Sequence, residues 1–570
     1  MLDQGLSSST TVGPLLDLAF LITSWAHVLL APYTKVEESF NLHATHDVLA
    51  YGLAPSALPF YDHFVFPGVV PRTFIGSNVL AGSSYLPLRV ATSLGLIQSK
   101  LDIQILIRLV LATINVYGLS LIHRAVRRRF STQAAFWFVI LTCTQFHLPF
   151  WIGRTLPNMF ALLPVNMAIS LLVFPGSTNI TIKRHYRAAL CLVGSAAIIY
   201  RSELILLALP IFVGVVYRQK APLSFLIPYG ASVALGSTAS TILVDSYFWN
   251  QRNPPLWPEL SGILFNVYEG KSSEWGSTGI MFFWRSVTHA VMAARITHHP
   301  ALQTSPFHAY LTHHLPKLLL ASLPLAIFAC VPLSLKSISN SDDPKDTSSD
   351  DPKGTATGWR LDAANTRSVR ALLAPFLAFV LLVSGLGHKE WRFVVYVVPM
   401  VNVAAAVGAQ RLTTLQNKHL RVLGRLALVG LIACNIIATT FLTIVSRANY
   451  PGGAALALVN SLPQSTSLNS TVSVHIDNLA AQTGASLFTQ EHSPPVWTHQ
   501  QDNTRWTYSK DPSPTSFSSY TYLVTEHTNI PDGEWDIVGS IDALDRVDIR
   551  RGLNALVTKP TLFILRNRHI

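Results

Sequence analysis

Charge is scarce in this chain. Asp, Glu, Lys and Arg together make up 13% of its 570 residues, against about 25% in an ordinary soluble domain. So thin a supply of ionic surface, with 49% hydrophobic residues, excludes a typical water-soluble fold. Cysteine is equally sparse. The four present, Cys143, Cys191, Cys330 and Cys434, all lie inside apolar runs, which excludes a disulfide framework or a zinc site built on clustered spacings. Walker, Rossmann and GxSxG motifs are missing, and with them the usual sequence signs of nucleotide binding or serine hydrolysis. No internal repeat appears at the common periods.

What is there instead is apolar sequence in long runs, the mark of helices buried all round. The class is an α-helical polytopic membrane protein. Candidate spans fall at 15–31, 101–122, 132–150, 157–174, 188–200, 203–217, 223–244, 315–335, 371–387, 393–409 and 426–446, about eleven in all. The first run lacks a clear cleavage site and reads as a retained span. The net charge of +12 would suggest nucleic acid in a soluble chain. Here the basic residues sit in short loops, where they orient spans and meet anionic lipid, and no nucleic-acid partner is expected.

Four basic segments, 123–129, 183–187, 217–220 and 410–425, share one side in this count, and the positive-inside rule makes that side cytosolic. The other side then holds a large first loop, 32–100, and a second loop, 245–314. Residues 78–98 read as an interfacial or re-entrant helix within the first. Residues 339–360 have too little apolar content for a core and read as a disordered cytosolic linker. The transmembrane part ends near 450. From 451 to 570 the pattern turns mixed and polar, with alternating stretches at 472–476 and 520–524 that read as strands of a small α/β domain. Asn469-Ser470-Thr471 is a glycosylation sequon on the non-cytosolic side; Asn179-Ile180-Thr181 falls in a cytosolic loop.

Polar residues gather at the ends of spans on that non-cytosolic side. Glu37 and Glu38 come directly after the first span, where adjacent carboxylates are costly to keep. They read either as solvated loop charges near Lys35 or as a general base, since partial desolvation raises a carboxylate pKa toward the range a base wants. Asn41 lies on the same stretch. Asp62, His63 and Arg72 belong to a loop rich in Pro, Gly and aromatics, either a structured loop with Asp62 paired to Arg72 or a phosphate and sugar platform. Arg154 and Arg201 are two more candidates, each explicable as a snorkelling or ion-paired arginine. His388-Lys389-Glu390-Trp391-Arg392-Phe393 joins two spans. It is either a charged anchor or a phosphate clamp, with Lys a point charge and Arg a bidentate fork. The histidines at 298, 299, 308, 313 and 314 match no familiar zinc spacing.

At these motifs the chain resembles a known family. Pro32 to Asn41, Phe66 to Thr73, Gly153-Arg154-Thr155-Leu156-Pro157-Asn158 and His388 to Phe393 are similar to those of the dolichyl-phosphate-mannose-dependent mannosyltransferases, glycosyltransferase family 22. The linker at 339–360 departs from the family pattern. The resemblance implies a GT-C-type transmembrane bundle in the endoplasmic reticulum with a lumenal active site. It further implies inverting transfer of mannose from dolichyl-phosphate mannose to a seven-mannose dolichyl-pyrophosphate oligosaccharide through an α-1,6 linkage. In that reading Glu37 or Glu38 is the base, and His388, Lys389, Arg392 and Arg201 hold the donor phosphate. Arg72, Arg154, Asn41, Asp62 and His63 contact substrate. Neither a metal nor a cofactor is needed, and no oligomeric state is implied. The alternatives are an α-1,2-mannosyltransferase of the same family, a lipid-linked oligosaccharide transporter, which should show repeats with ion sites near the midplane, and a non-catalytic scaffold subunit.

Overall fold

The computed structural model describes residues 6–268, 306–332, 353–386, 389–462, 471–495 and 505–570, apart from loop positions 513, 549 and 552–554. Most of it is helical. Among the described residues, five helices are long and apolar enough to cross a bilayer: Gly13–Leu30, Lys100–Arg129, Leu223–Phe248, Ala363–Val383 and Lys418–Arg447. A pair bent by 108°, Tyr310–Leu319 with Ser322–Cys330, makes a sixth if counted as one span. The protein is thus a multi-pass membrane protein.

The candidate spans differ in length. Thr132–Thr144, Pro157–Val173 and Ser202–Tyr217 are apolar but short. Pro157–Val173 is buried at ten of its positions, whereas Ser202–Tyr217 buries Leu207, Ile211 and Val215 on one face and exposes Ile205, Leu209 and Val213 on the other. Val397–Thr413 is buried along nearly its whole length; Gly408 there faces Leu325 O so closely that a Cβ would lie 2.1 Å away. The expected 188–200 span is the end of a longer helix, Asn179–Ile199, so Lys183, Arg184 and Arg187 lie on a helix rather than in a loop. Thr178 caps it, its hydroxyl accepting from Thr181 N at 3.2 Å, as a short polar side chain does at a helix start.

The Lys100–Arg129 helix is the post on which the first loop and the ends of two other motif stretches are hung. Ser99 and Asp102 cap its start reciprocally, with Ser99 N donating to Asp102 Oδ2 at 2.8 Å. Three arginines close its last turn, where cations suit the helix dipole. At about 1.5 Å per residue its 30 residues reach about 45 Å, more than a bilayer core. The first loop holds two further helices, Val36–Tyr51 and Ile75–Ser93. The second buries Ser77, Leu80, Ala81, Ser84, Leu88 and Ala91 along one face and exposes Val79, Tyr85, Leu86 and Val90 on the other. That pattern suits a helix lying in the membrane interface.

Of the expected linker 339–360, residues 339–352 lie outside the described residues. Lys353 to Arg360 are helical, the start of Lys353–Val383; the correction reflects a helix that runs on beyond its apolar part. His298 and His299 also lie outside the described residues, as does Asn469. After 450 the chain forms the Pro451–Ser461 helix and a five-stranded mixed sheet. Its strands are β1 (Thr471–Ile476), β2 (Arg505–Ser509), β3 (Tyr522–Thr525), β4 (Trp535–Val547) and β5 (Leu556–Asn567), in the order β2-β1-β3-β5-β4. β1 runs parallel to β2 and β3; β5 pairs antiparallel with β3 and β4.

Candidate active site

The first span ends on an arginine. Arg108, fully buried on the Lys100–Arg129 helix, donates from Nη1 to Ala31 O and Pro32 O at 2.7 Å each, and from Nε to Gly153 O at 3.1 Å. A helix C-terminus leaves carbonyls without partners, and Arg108 takes them. It holds the two motif stretches 31–32 and 153 against each other. Sequence reasoning passed it over, although a lone arginine in an apolar run was the signal.

Beyond Pro32 the chain turns into the Val36–Tyr51 helix. Glu38, in its first turn, reaches back to accept from Lys35 N at 3.0 Å. The same oxygen accepts from Arg154 Nη1 at 2.7 Å, and neither side chain is exposed at all. The Arg154 guanidinium also lies 4.3 Å from the Phe150 ring centre. Thr155 Oγ1 donates to Glu38 O at 3.0 Å, and Asn41 Nδ2 donates to Thr155 O at 2.8 Å. Glu38, Asn41 and Arg154 are therefore tied into one network, and Glu38 has its charge neutralised in place.

Glu37, one position earlier and about 100° round the helix, is partly exposed. Burial pushes its carboxyl above the usual range; Arg392 opposes that, while Glu390 and Glu38 add to it. The side chain thus stands in the field of the 389–394 turn, brought from the far end of the sequence.

That turn carries its own pairs. Arg392 grips Glu390 through two contacts, Nε to Oε2 at 2.5 Å and Nη2 to Oε1 at 2.7 Å. Lys389 Nζ donates to Leu386 O at 2.7 Å; His388 lies outside the described residues. Tyr310 Oη donates to Glu390 O at 3.1 Å. Asn158 Nδ2 ties the turn to a second pair, meeting Arg392 O at 3.0 Å, Tyr396 Oη at 3.0 Å and Glu203 Oε1 at 3.2 Å. Glu203 in turn accepts from Arg201 Nε at 2.8 Å. Arg72 joins the group: burial and the neighbouring Arg201 bring its guanidinium down to about 10, with Glu259 and Glu203 opposing and Arg392 adding. Glu259 Oε2 accepts from Ser202 N at 2.7 Å. A small cavity lies here, lined by Asn41, Arg72, Thr73, Phe160, Tyr200 and Glu259.

Glu37, Arg72, Arg201 and Arg392 therefore share one electrostatic neighbourhood. Asp62 and His63 are not brought into it. Asp62 binds His43 Nδ1 at 2.8 Å and Lys510 Nζ at 2.9 Å, and His63 Nε2 bonds to Phe248 O at 3.0 Å amid Phe64, Phe74 and Trp249. Both are held by protein partners at that place. Nor does Asp62 pair with Arg72. Glu259, Tyr310 and Tyr396 were missed; each is a single residue without a motif around it. Among the described residues, one group offers three possible metal-ligand atoms within 4.8 Å of one another, Asp477, Glu526 and His527, on the C-terminal domain and mostly exposed.

A partly desolvated carboxylate in the field of Arg392, with Arg72 and Arg201 grouped at that arginine, suits transfer to a hydroxyl from an anionic leaving group. Comparison with known proteins points the same way. Residues 16–301 and 303–499 match the Alg9-like mannosyltransferase family. The Dol-P-Man:Man(7)GlcNAc(2)-PP-Dol alpha-1,6-mannosyltransferase of Drosophila melanogaster is 32% identical over 97% of this chain and 71% of its own. A protein of the same name from Arabidopsis thaliana is 30% identical, over 95% of this chain and 92% of its own. ArnT from Cupriavidus metallidurans, solved with undecaprenyl phosphate, superposes over 98% of both chains with a TM-score of 0.51 at 11% identity, which makes the GT-C fold common to the two. By the extent of the family match and the identity to these relatives, this chain belongs to the Alg9-like mannosyltransferase family.

Proposed function

We propose that this protein transfers mannose from dolichyl-phosphate mannose to the seven-mannose dolichyl-pyrophosphate oligosaccharide through an α-1,6 linkage, on the lumenal face of the endoplasmic reticulum. The names of the relatives support the substrates. The observation that carries the mechanism is the contrast between the adjacent glutamates: Glu38 is closed into a buried ion pair with Arg154, while Glu37 keeps part of its side chain exposed.

Glu37 is then the base. It takes the proton of the acceptor's primary hydroxyl as that oxygen attacks the anomeric carbon. The bond from that carbon to the phosphate oxygen breaks, and dolichyl phosphate leaves on the opposite side, which turns a β-linked donor into an α-linked product. A phosphate leaves without an acid; it needs cations to take up its developing charge. Arg392, with Lys389 and its sequence neighbour His388, and with Arg201 close by, supplies them. Arg72 and Asn41 line the adjoining cavity and contact sugar. Arg154 acts through Glu38, keeping the helix start in place. The step as written uses no nucleotide and no metal.

The test is a purified-protein assay with dolichyl-phosphate mannose and a defined seven-mannose acceptor, with linkage and anomer analysis of the product. An eight-mannose product with a new α-1,6 bond is expected. An α-1,2 bond would move the chain to another branch of the family, and no transfer at all would remove the reading.

A further inference from the structure

The helix that carries Glu37 has a second face, and the C-terminal domain covers it. The contacts come from several parts of that domain. The Tyr33 ring lies so close over Gly453 that a Cβ there would come within 2.3 Å of Cδ1, and one on Gly484 would lie 3.2 Å from Tyr33 Cβ. Phe488, fully buried, completes a core with Leu42, Leu80, Ile103 and Ile107 and meets the His46 ring edge-on at 4.9 Å. Ser486 Oγ donates to Gln104 Oε1 at 2.7 Å, while Gln104 Nε2 donates to Pro32 O at 2.7 Å.

The charged contact is a chain of three. Lys510, just beyond β2, places Nζ 2.9 Å from Asp62 Oδ1 and 4.6 Å from the Phe66 ring centre. Asp62 Oδ2 lies 2.8 Å from His43 Nδ1. All three side chains are at most 13% exposed. Asp62 N also donates to Asp47 Oδ2 at 2.8 Å, and Asp47 Oδ1 meets His46 Nδ1 at 2.9 Å. Against the upward push of burial, His43 and Lys510 hold the Asp62 carboxyl far below its usual range. His43, His46 and Asp47 are all on the Val36–Tyr51 helix. Lys510 thus reaches, through Asp62, the element whose first turn bears Glu37.

We propose that the C-terminal domain sets the rotation of the catalytic helix, with Lys510 a positioning residue that acts through Asp62 and His43. The inference rests on Glu37 being the base. Against an apolar replacement of the whole chain of charges, a buried ion chain adds little net stability, and the apolar contacts of Phe488 already dock the domain, so the fixed geometry is what the chain contributes. That geometry matters: with side chains about 6 Å from a helix axis, a turn of about 10° moves the Glu37 carboxylate about 1 Å, enough to cost about 100-fold in rate.

The experiment compares Lys510→Met and Lys510→Arg in the full-length purified protein. It reads kcat, KM for each substrate, thermal midpoint, and amide hydrogen exchange over 36–51 and 100–129. For Lys510→Met, kcat should fall about tenfold or more with donor KM within about twofold. Exchange should quicken over 36–51 and not over 100–129, the thermal midpoint should fall because Asp62 loses a partner but stay well above the assay temperature, and Lys510→Arg should recover most of kcat. A Lys510→Met enzyme with kcat within about twofold of the parent overturns the proposal. So does one that is unfolded at the assay temperature, or whose exchange quickens equally over 100–129, since Lys510 would then be a prop of the fold. The exchange measurement needs no turnover, so it separates loss of this coupling from loss of the mannosyltransferase reading, which the parent enzyme's own product decides.

Discussion

Two ion-paired regions lie on either side of one helical turn, and they differ in burial. At the root of the Val36–Tyr51 helix, Glu38 and Arg154 are both wholly enclosed. Across the site, Arg392–Glu390 and Arg201–Glu203 keep between 11% and 19% of each side chain exposed. An enclosed pair is shut off from the site: its charges answer each other, and removing one strands the other at a cost of about 3–5 kcal/mol. A pair open to the site can exchange its partner for an incoming phosphate. Adjacent glutamates are thus set to different tasks by which of them the chain has already neutralised.

The sharpest way to break this comparison is Glu37→Gln. It should lower kcat by about 10²- to 10⁴-fold while leaving the fold intact. The folded pKa of Glu37 lies above its ordinary value, so its favourable contribution is complete below the unfolded pKa and is lost as pH rises through the folded one. At neutral pH the ionised side chain is therefore a small burden, and Glu37→Gln should raise the thermal midpoint slightly or leave it alone. By the same shift, the acid limb of the parent's kcat profile should fall at a pH above the ordinary glutamate range, since the base works deprotonated.

Next in size is Arg154→Met, expected to destabilise the protein by about 3–5 kcal/mol by leaving Glu38 buried without its partner. Thermal unfolding in detergent reads this; a variant that unfolds like the parent would show that the pair is not sealed. Arg392→Ala should lower kcat by about 10²- to 10³-fold with little change in midpoint, the reverse of Arg154→Met. Smallest of all is Arg546→Ala. Its pair with Asp545 is a surface one, and such pairs contribute little, so neither transfer nor unfolding should change measurably.

The polar motifs were legible because a membrane protein keeps few charges, and those it keeps stand out. Glu37, Glu38, Arg154 and Arg392 could be picked from the chain on that ground alone. Which glutamate is spare could not, because the answer lies in Arg154, 116 residues from Glu38. The partner of Asp62 was hidden for a related reason. A carboxylate beside an arginine and several aromatics reads as a site, whereas its partner is Lys510, in a different domain. The number of spans was not legible either. Run length counts apolar residues, but whether a 17-residue helix such as Val397–Thr413 crosses or nests depends on neighbours that hydropathy does not see.

The slot that Gly453 and Gly484 leave for Tyr33 bears on how such a chain changes over generations. Two glycines near the end and one aromatic ring near the beginning form a lock and key, so neither can be exchanged without the other. A hybrid that grafts the tail of one relative onto the body of another should inherit both halves together, or lose the fit between them.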